Sequence, residues 1–278
     1  MTFFKSPTGK QAIMDYYDMV MAGWQATYET QMVKTRMGDT FVIKSGNPSN
    51  PPLILLHGAT SNACSWASDV ADYVKQYCVY AIDTVGEPGK SAETRIEYDG
   101  IGFVEWLDDV LSALNLQSVT LVGLSQGGWI ALKYAITYPE RVSALVLLTP
   151  NGITTHNELF FLKMLPLFFL GKWGQKRAVQ MMFADLPVPE GAVEGTAIVM
   201  RHYNARRERL PLFTDDELIR LTMPIVLMGG EKDGVFDVKA SASRLEALIP
   251  NVQTHIIPGA GHAIVQTASD VMRLLVMA

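Results

Sequence analysis

Six continuous apolar runs constrain this chain more than any other feature: Leu53 to Leu56, Val79 to Ile82, Val119 to Val122, Ala144 to Leu148, Ile225 to Met228 and His255 to Ile257. A strand sends successive side chains to opposite faces, so a run without polar alternation needs apolar cover on both. Segments with helical patterning lie between most of the runs, and this succession predicts an α/β fold. The expected architecture is a mostly parallel sheet of about eight strands with helices on both faces. Before it, Ser6-Pro7 reads as an N-cap with proline at the first helical position, opening a helix through about Tyr28. Residues 31–36 and 40–44 then flank a Gly38-Asp39 turn and predict an antiparallel hairpin. At 278 residues, one large domain with a sizeable core accounts for the chain.

One interval breaks the rhythm. About seventy-five residues separate Leu148 from Ile225, too many for an ordinary crossover. The segment is rich in Phe, Leu and Met, which predicts a helical cap over residues 151–212, inserted before the strand at 224–229. Residues 1–150 and 213–278 form the expected core. Open α/β sheets bind ligands at the carboxyl edge, so Phe160, Phe161, Phe168, Phe169, Met181 and Met182 are candidate pocket residues. The same side chains also suit a small core of the insertion's own, and both uses are expected.

The chemistry concentrates at Gly123-Leu124-Ser125-Gln126-Gly127, between the apolar run Val119 to Val122 and the amphipathic run Trp129 to Tyr138. A strand turning sharply into a helix through small residues exposes the central serine near the positive helix end, a place for a nucleophile or for a simple capping serine. A nucleophilic serine needs a histidine as base and a carboxylate to orient it. Of the five histidines, His262, in Pro258-Gly259-Ala260-Gly261-His262, follows the last strand in a glycine-rich loop at the expected edge. The loop Gly229 to Asp237 offers Glu231, Asp233 and Asp237. Asp233 lies in the turn itself, whereas Asp237 suits a helix cap. Asp83, after an earlier strand, competes but reads better as part of a structural turn, and the position after Leu148 holds Thr149, which has no carboxylate. Donors for an oxyanion are expected from the Gln126 backbone N–H and, in the loop His57-Gly58-Ala59-Thr60, from Ala59.

Composition narrows the partners. The net charge of −5 and the absence of a basic stripe argue against nucleic acid; the cluster Arg201 to Arg209 also holds Glu208 and reads as a solvated helix face. Two cysteines in so long a chain suggest reduced, cytoplasmic usage. The start of the chain, Met1 to Pro7, leads into no apolar signal region, so no secretory signal is expected. Leu159 to Leu170 is interrupted by Lys163 and Pro166 and is too short to span a bilayer, so stable membrane insertion is not expected.

Taken together, Leu53 to Gly58, Gly123 to Gly128, Pro139-Glu140-Arg141-Val142, Gly229 to Asp233 and Gly259 to His262 resemble an α/β-hydrolase over nearly the whole sequence. Phe213-Thr214-Asp215-Asp216-Glu217-Leu218 running into Pro224-Ile225, with the N-terminal helix and hairpin, is similar to bacterial carboxylesterases of the carboxylesterase NP type. The resemblance implies a triad of Ser125, Asp233 and His262 hydrolysing small to medium carboxylic esters with no cofactor and no metal. The acid is glutamate in at least some relatives and aspartate here; either orients a histidine. The same triad serves carbon–carbon hydrolases and acyl transferases, and some proteins of this fold are noncatalytic ligand sensors. Haloalkane dehalogenases and epoxide hydrolases are disfavoured, because they place aspartate where this chain has Ser125.

Overall fold

The computed structural model describes residues 2–277. In chain order it has α1 Pro7–Met21, β1 Tyr28–Thr35, β2 Gly38–Ser45, β3 Pro52–Leu56, α2 Val70–Tyr73, β4 Cys78–Ile82, α3 Gly102–Ala113, β5 Val119–Leu124, α4 Gln126–Thr137 and β6 Val142–Leu148. Next come α5 Glu158–Met164, the 3₁₀ turn Leu165–Phe169, α6 Gly171–Phe183, α7 Ala192–His202, α8 Asp215–Leu218, β7 Ile225–Gly230, α9 Val238–Leu248, β8 Val252–Ile257 and α10 Ala268–Met277. All eight strands join one sheet in the order β1-β2-β4-β3-β5-β6-β7-β8. β1 and β2 form the expected antiparallel hairpin, β2 pairs antiparallel with β4, and every pair from β4 through β8 is parallel.

The first five unalternated runs are explained by what each face meets. The run His255 to Ile257 departs from expectation, since β8 lies at the sheet edge and is half-buried throughout. Ile54 and Leu56 of β3 join Leu121, Leu145, Leu147 and Leu227 in one core, beneath Trp106 of α3, Trp129 and Ile130 of α4 and Leu245 of α9. Their neighbours Leu53 and Leu55 join Val122, Val146, Val226 and Met228 in a second core, covered by Tyr17 of α1, Tyr73 of α2 and Val271 of α10. Each central strand thus feeds two layers at once, and each fully buried Leu, Ile or Val adds about 1.5–3 kcal/mol relative to exposure.

Two local details follow from chemistry legible in the sequence. Ser6 caps α1 by accepting the Gly9 N–H at 3.0 Å, with Pro7 in the first turn. Thr214 and Glu217 form a reciprocal capping box at α8: the Glu217 N–H donates to Thr214 Oγ1 at 3.3 Å and the Thr214 N–H donates to Glu217 Oε2 at 2.7 Å. The extent of α1 departs from expectation, since it stops at Met21 rather than near Tyr28. Trp24 is drawn into the second core instead and donates its indole N–H to Ser45 Oγ at 3.0 Å, which commits the following residues to β1.

Between β6 and β7 lie α5, the 3₁₀ turn, α6, α7 and α8. The end of α6 is stitched to the loop after β8: the Gly261 N–H donates to Phe183 O at 3.1 Å and the Ala263 N–H to Met182 O at 2.8 Å. Cys64 and Cys78 are buried free thiols. Among the described residues, no helix is long and apolar enough to cross a membrane.

Candidate active site

Ser125 stands between β5 and α4 with φ 51° and ψ −109°. A side chain in that region is strained by about 1–3 kcal/mol and persists only where its surroundings leave no alternative. Two glycines supply the constraint. A Cβ on Gly123 would collide with the Gly127 carbonyl, and one on Gly127 would collide with the Leu56 carbonyl, so elbow and sheet close on each other only without side chains there. The Ser125 N–H donates to Leu148 O at 2.9 Å, which ties the elbow to β6. The serine is half-buried, reachable from outside the sheet edge.

His262 Nε2 lies 3.1 Å from Ser125 Oγ, and its Nδ1 lies 2.9 Å from Asp233 Oδ2. The other carboxylate oxygen, Asp233 Oδ1, accepts the Val235 N–H at 2.8 Å and the Phe236 N–H at 3.1 Å. With its side chain only 1 % exposed, the carboxylate is fixed by its own turn and faces the imidazole. A carboxylate can only accept, so it selects the tautomer with the proton on Nδ1 and leaves Nε2 as the acceptor facing serine. Phe236 packs on the His262 ring at 5.3 Å between centroids. The other acids of the loop are engaged elsewhere: Asp237 caps α9 through the Ala240 N–H at 2.9 Å, and Glu231 pairs with Lys239 at 3.5 Å.

The loop after β3 passes beside the elbow. A Cβ built on Gly58 would stand 3.6 Å from Ser125 Cβ, in ordinary contact, so the residue that precedes Ala59 in the loop lies beside the serine. Gln126 opens α4, where the first backbone N–H groups have no intrahelical acceptor and carry the positive end of the helix dipole. His57 shapes this loop rather than acting in it. Its Nε2 accepts the Thr84 N–H at 2.9 Å, which makes Nδ1 the donor to Gly58 O at 2.8 Å, and burial pushes it down to about 4. Further along, the Thr60 N–H donates to Glu87 Oε2 at 2.8 Å, and burial pushes that carboxyl up to about 7. Asp83 is a structural clamp, accepting the Ala63 N–H at 2.6 Å and the Lys90 N–H at 2.7 Å; burial raises it to about 6.

Comparison with known proteins accords with this fold. The family pattern described as alpha/beta hydrolase fold matches residues 51–179, the stretch that carries the His57 loop and the elbow. A solved structure of naproxen esterase (carboxylesterase NP) from Bacillus subtilis superposes with a TM-score of 0.86 at 26 % identity, covering 98 % of this chain and 99 % of the other. This chain has the α/β-hydrolase fold. The structure of carboxylesterase CesB (YbfK) from Bacillus subtilis is nearly as similar, with a TM-score of 0.85, 25 % identity and 97 % of each chain covered. In sequence, the Bacillus subtilis protein named uncharacterized carboxylesterase nap is 29 % identical over 258 residues, 89 % of this chain and 85 % of that protein.

Within this α/β-hydrolase fold, one residue near the serine carried no sequence signal. Asn151, 5 % exposed, donates its side-chain N–H to Ser125 Oγ at 3.1 Å and its backbone N–H to Ser125 O at 3.2 Å. With the amide so oriented, Oγ accepts from Asn151 and keeps its single hydrogen for His262 Nε2. A lone Asn in a Pro-Asn-Gly turn after a strand reads as turn chemistry, so only the folded arrangement reveals the contact.

The six apolar residues expected at a pocket do not behave alike. Phe160 and Phe161 are half-buried and pack edge to face at 5.8 Å, and the Phe160 ring covers Gly234, beside Asp233. Phe168, Met181 and Met182 are half-buried. The expectation for Phe169 is corrected: its side chain is 90 % exposed at the end of the 3₁₀ turn, so it walls no cavity. A cleft of about 460 Å³ beside Asp233 is lined by Thr155, His156, Asn157, Glu231 and Lys239 among others. Ser125 does not line it, and such polar walls suit water rather than an acyl chain. Among the described residues, no cluster of three His, Cys, Asp or Glu is arranged to hold a metal ion.

Proposed function

We propose that this protein is a serine carboxylesterase that hydrolyses small to medium carboxylic esters through an acyl-enzyme on Ser125. The observation that carries the reading is the unbroken chain from Ser125 Oγ through His262, 3.1 Å and 2.9 Å long, to a carboxylate locked by two backbone N–H groups. Similarity over nearly the full chain to proteins named carboxylesterases supports the ester as substrate class.

In the first half-reaction, Ser125 Oγ attacks the ester carbonyl carbon as its proton passes to His262 Nε2. The imidazolium is held by Asp233 through Nδ1–H. Negative charge developing on the carbonyl oxygen is met by the Gln126 N–H at the start of α4 and by the Ala59 N–H. Collapse of the tetrahedral adduct expels the alkoxide, which takes the proton from His262 and leaves as the alcohol. Water then attacks the acyl-enzyme, gives one proton to His262, and releases the carboxylic acid as Oγ recovers its hydrogen. Residues 151–212 act as a cap whose inner aromatic and methionine side chains bound the acyl and alcohol pockets.

A panel of p-nitrophenyl esters from acetate to dodecanoate tests this. Repeated turnover by the wild type, lowered about 10⁴-fold or more in Ser125→Ala, is expected. One slow turnover ending in a persistent adduct would instead describe a ligand sensor.

A further inference from the structure

We propose that the outer face of residues 159–177 is a docking surface for an anionic lipid–water interface. Leu159, Leu162, Leu165, Phe169, Leu170 and Trp173 all stand exposed within fifteen consecutive residues, Phe169 at 90 % and Trp173 at 68 %. Packing does not require this, because the inner faces of the same elements are already satisfied: Met164 of α5 and Gly174, Ala178, Val179 and Phe183 of α6 are buried. So many exposed apolar side chains in one short segment mark a surface that meets something other than water.

Charge decides between partners. Lys163, Lys172, Lys176 and Arg177 are exposed around the patch, and among the described residues none of them is ion-paired. No carboxylate occurs from residue 159 to residue 184, so the segment is +4 in a chain of net charge −5. Exposed Trp, Phe and Leu beside unpaired Lys and Arg are what lie at the headgroup boundary of an anionic bilayer, the rings in the interface and the cations on the lipid phosphates. A second copy of this chain fits poorly, since a two-fold contact between these segments would bring two sets of unpaired cations into one interface. The elements are also short, thirteen residues in α6, so they lie on a bilayer rather than cross it.

The surface is coupled to the serine's surroundings. On the inner side of the patch the Asn157 N–H donates to Val235 O at 2.9 Å and Phe160 covers Gly234, next to Asp233. At the other end, α6 runs into the backbone contacts that hold the His262 loop. The elements that dock are thus joined to the loops carrying Asp233 and His262. The binding claim itself does not depend on ester hydrolysis.

The probe is built in, because Trp24, Trp66, Trp106 and Trp129 are buried and Trp173 is the one exposed tryptophan among the described residues. The full chain is mixed with vesicles of equal phosphatidylglycerol and phosphatidylcholine, or of phosphatidylcholine alone, and followed by co-sedimentation and tryptophan emission. Expected are a blue shift with the anionic vesicles and partitioning at least about 10-fold above that on phosphatidylcholine, weakening with salt. Lys172→Glu/Lys176→Glu should abolish the preference for anionic vesicles. Leu162→Ser/Trp173→Ser should lose binding to both while keeping its circular dichroism and its turnover of p-nitrophenyl acetate. Equal or absent binding to the two vesicle types would overturn the proposal. So would a vesicle-independent dimer in sedimentation velocity that Leu162→Ser/Trp173→Ser dissolves, since that would assign the patch to a second copy.

Discussion

Ser125 Oγ is held from two sides, by Asn151 as donor and His262 as acceptor, and the two contacts make different predictions. Asn151→Ala removes a hydrogen bond that keeps the Oγ hydrogen aimed at His262, a neutral contact worth about 0.5–1.5 kcal/mol, so kcat should fall about 2- to 10-fold without abolishing turnover. An unchanged kcat in steady-state kinetics would reduce Asn151 to a brace of the elbow. Asp233→Asn should lower turnover strongly, yet less than Ser125→Ala, because the base survives in a poorly held tautomer. Asp237→Asn is the comparison, since Asp237 only caps α9. Were Asp237→Asn the inactive variant and Asp233→Asn the active one, the carboxylate assignment would fail. At this scale the juxtaposition of Ser125, His262 and Asp233 was legible because each sits in a short glycine-marked loop after a recognisable strand. Asn151 was not, because nothing local separates an asparagine that turns the chain from one that also reaches a serine twenty-six residues earlier.

The elements between β6 and β7 account for selectivity in this reading. Alanine substitutions at Phe160, Phe161, Phe168, Met181 and Met182, made one at a time, should at two or more positions shift kcat/KM between short and long acyl esters by about 10-fold, the worth of one or two methylenes in an apolar pocket. Phe169→Ala should leave the chain-length profile unchanged, because its ring is in solvent. Trp129, 1 % exposed and stacked on Phe213 at 5.7 Å, is a packing residue, so Trp129→Ala should cost about 3–5 kcal/mol of stability more than it alters selectivity. If every cap variant kept the wild-type profile, the pocket would have to be built from the sheet-edge loops. The strands were readable from unalternated apolar runs, whereas the end of α1 was not. There, the pull of one indole into a distant core outweighed local helical patterning. Which face of the 159–177 segment points outward was unreadable for a similar reason, since both faces are apolar in sequence.

Across the whole molecule, buried titratable groups set opposing pH dependences of stability. Burial raises Glu87 from 4.5 to about 7, so the folded state holds that proton more tightly than the unfolded chain; its contribution is full below about pH 4.5 and is lost as pH rises through 7. Burial lowers His57 from 6.5 to about 4, so its contribution is full above about pH 6.5 and is lost as pH falls through 4. The two partly cancel in acid. Glu87→Gln should therefore raise Tm relative to wild type more at pH 8 than at pH 5 and steepen the acid-side fall, as read by melting curves from pH 4 to 8. Parallel curves would contradict this.

The doubly covered central strands and the mostly parallel pairing were legible because they follow from burial alone, whereas the proposed chemistry rests on three loops that only the closed sheet edge brings together. The most direct test of that chemistry is to label the nucleophile covalently. After reaction with a p-nitrophenyl phosphonate, peptide mass spectrometry should find one adduct per chain, on Ser125, formed far more slowly in His262→Ala and absent in Ser125→Ala. An adduct on any other residue, or ester turnover that continues at the wild-type rate in Ser125→Ala, would contradict the account.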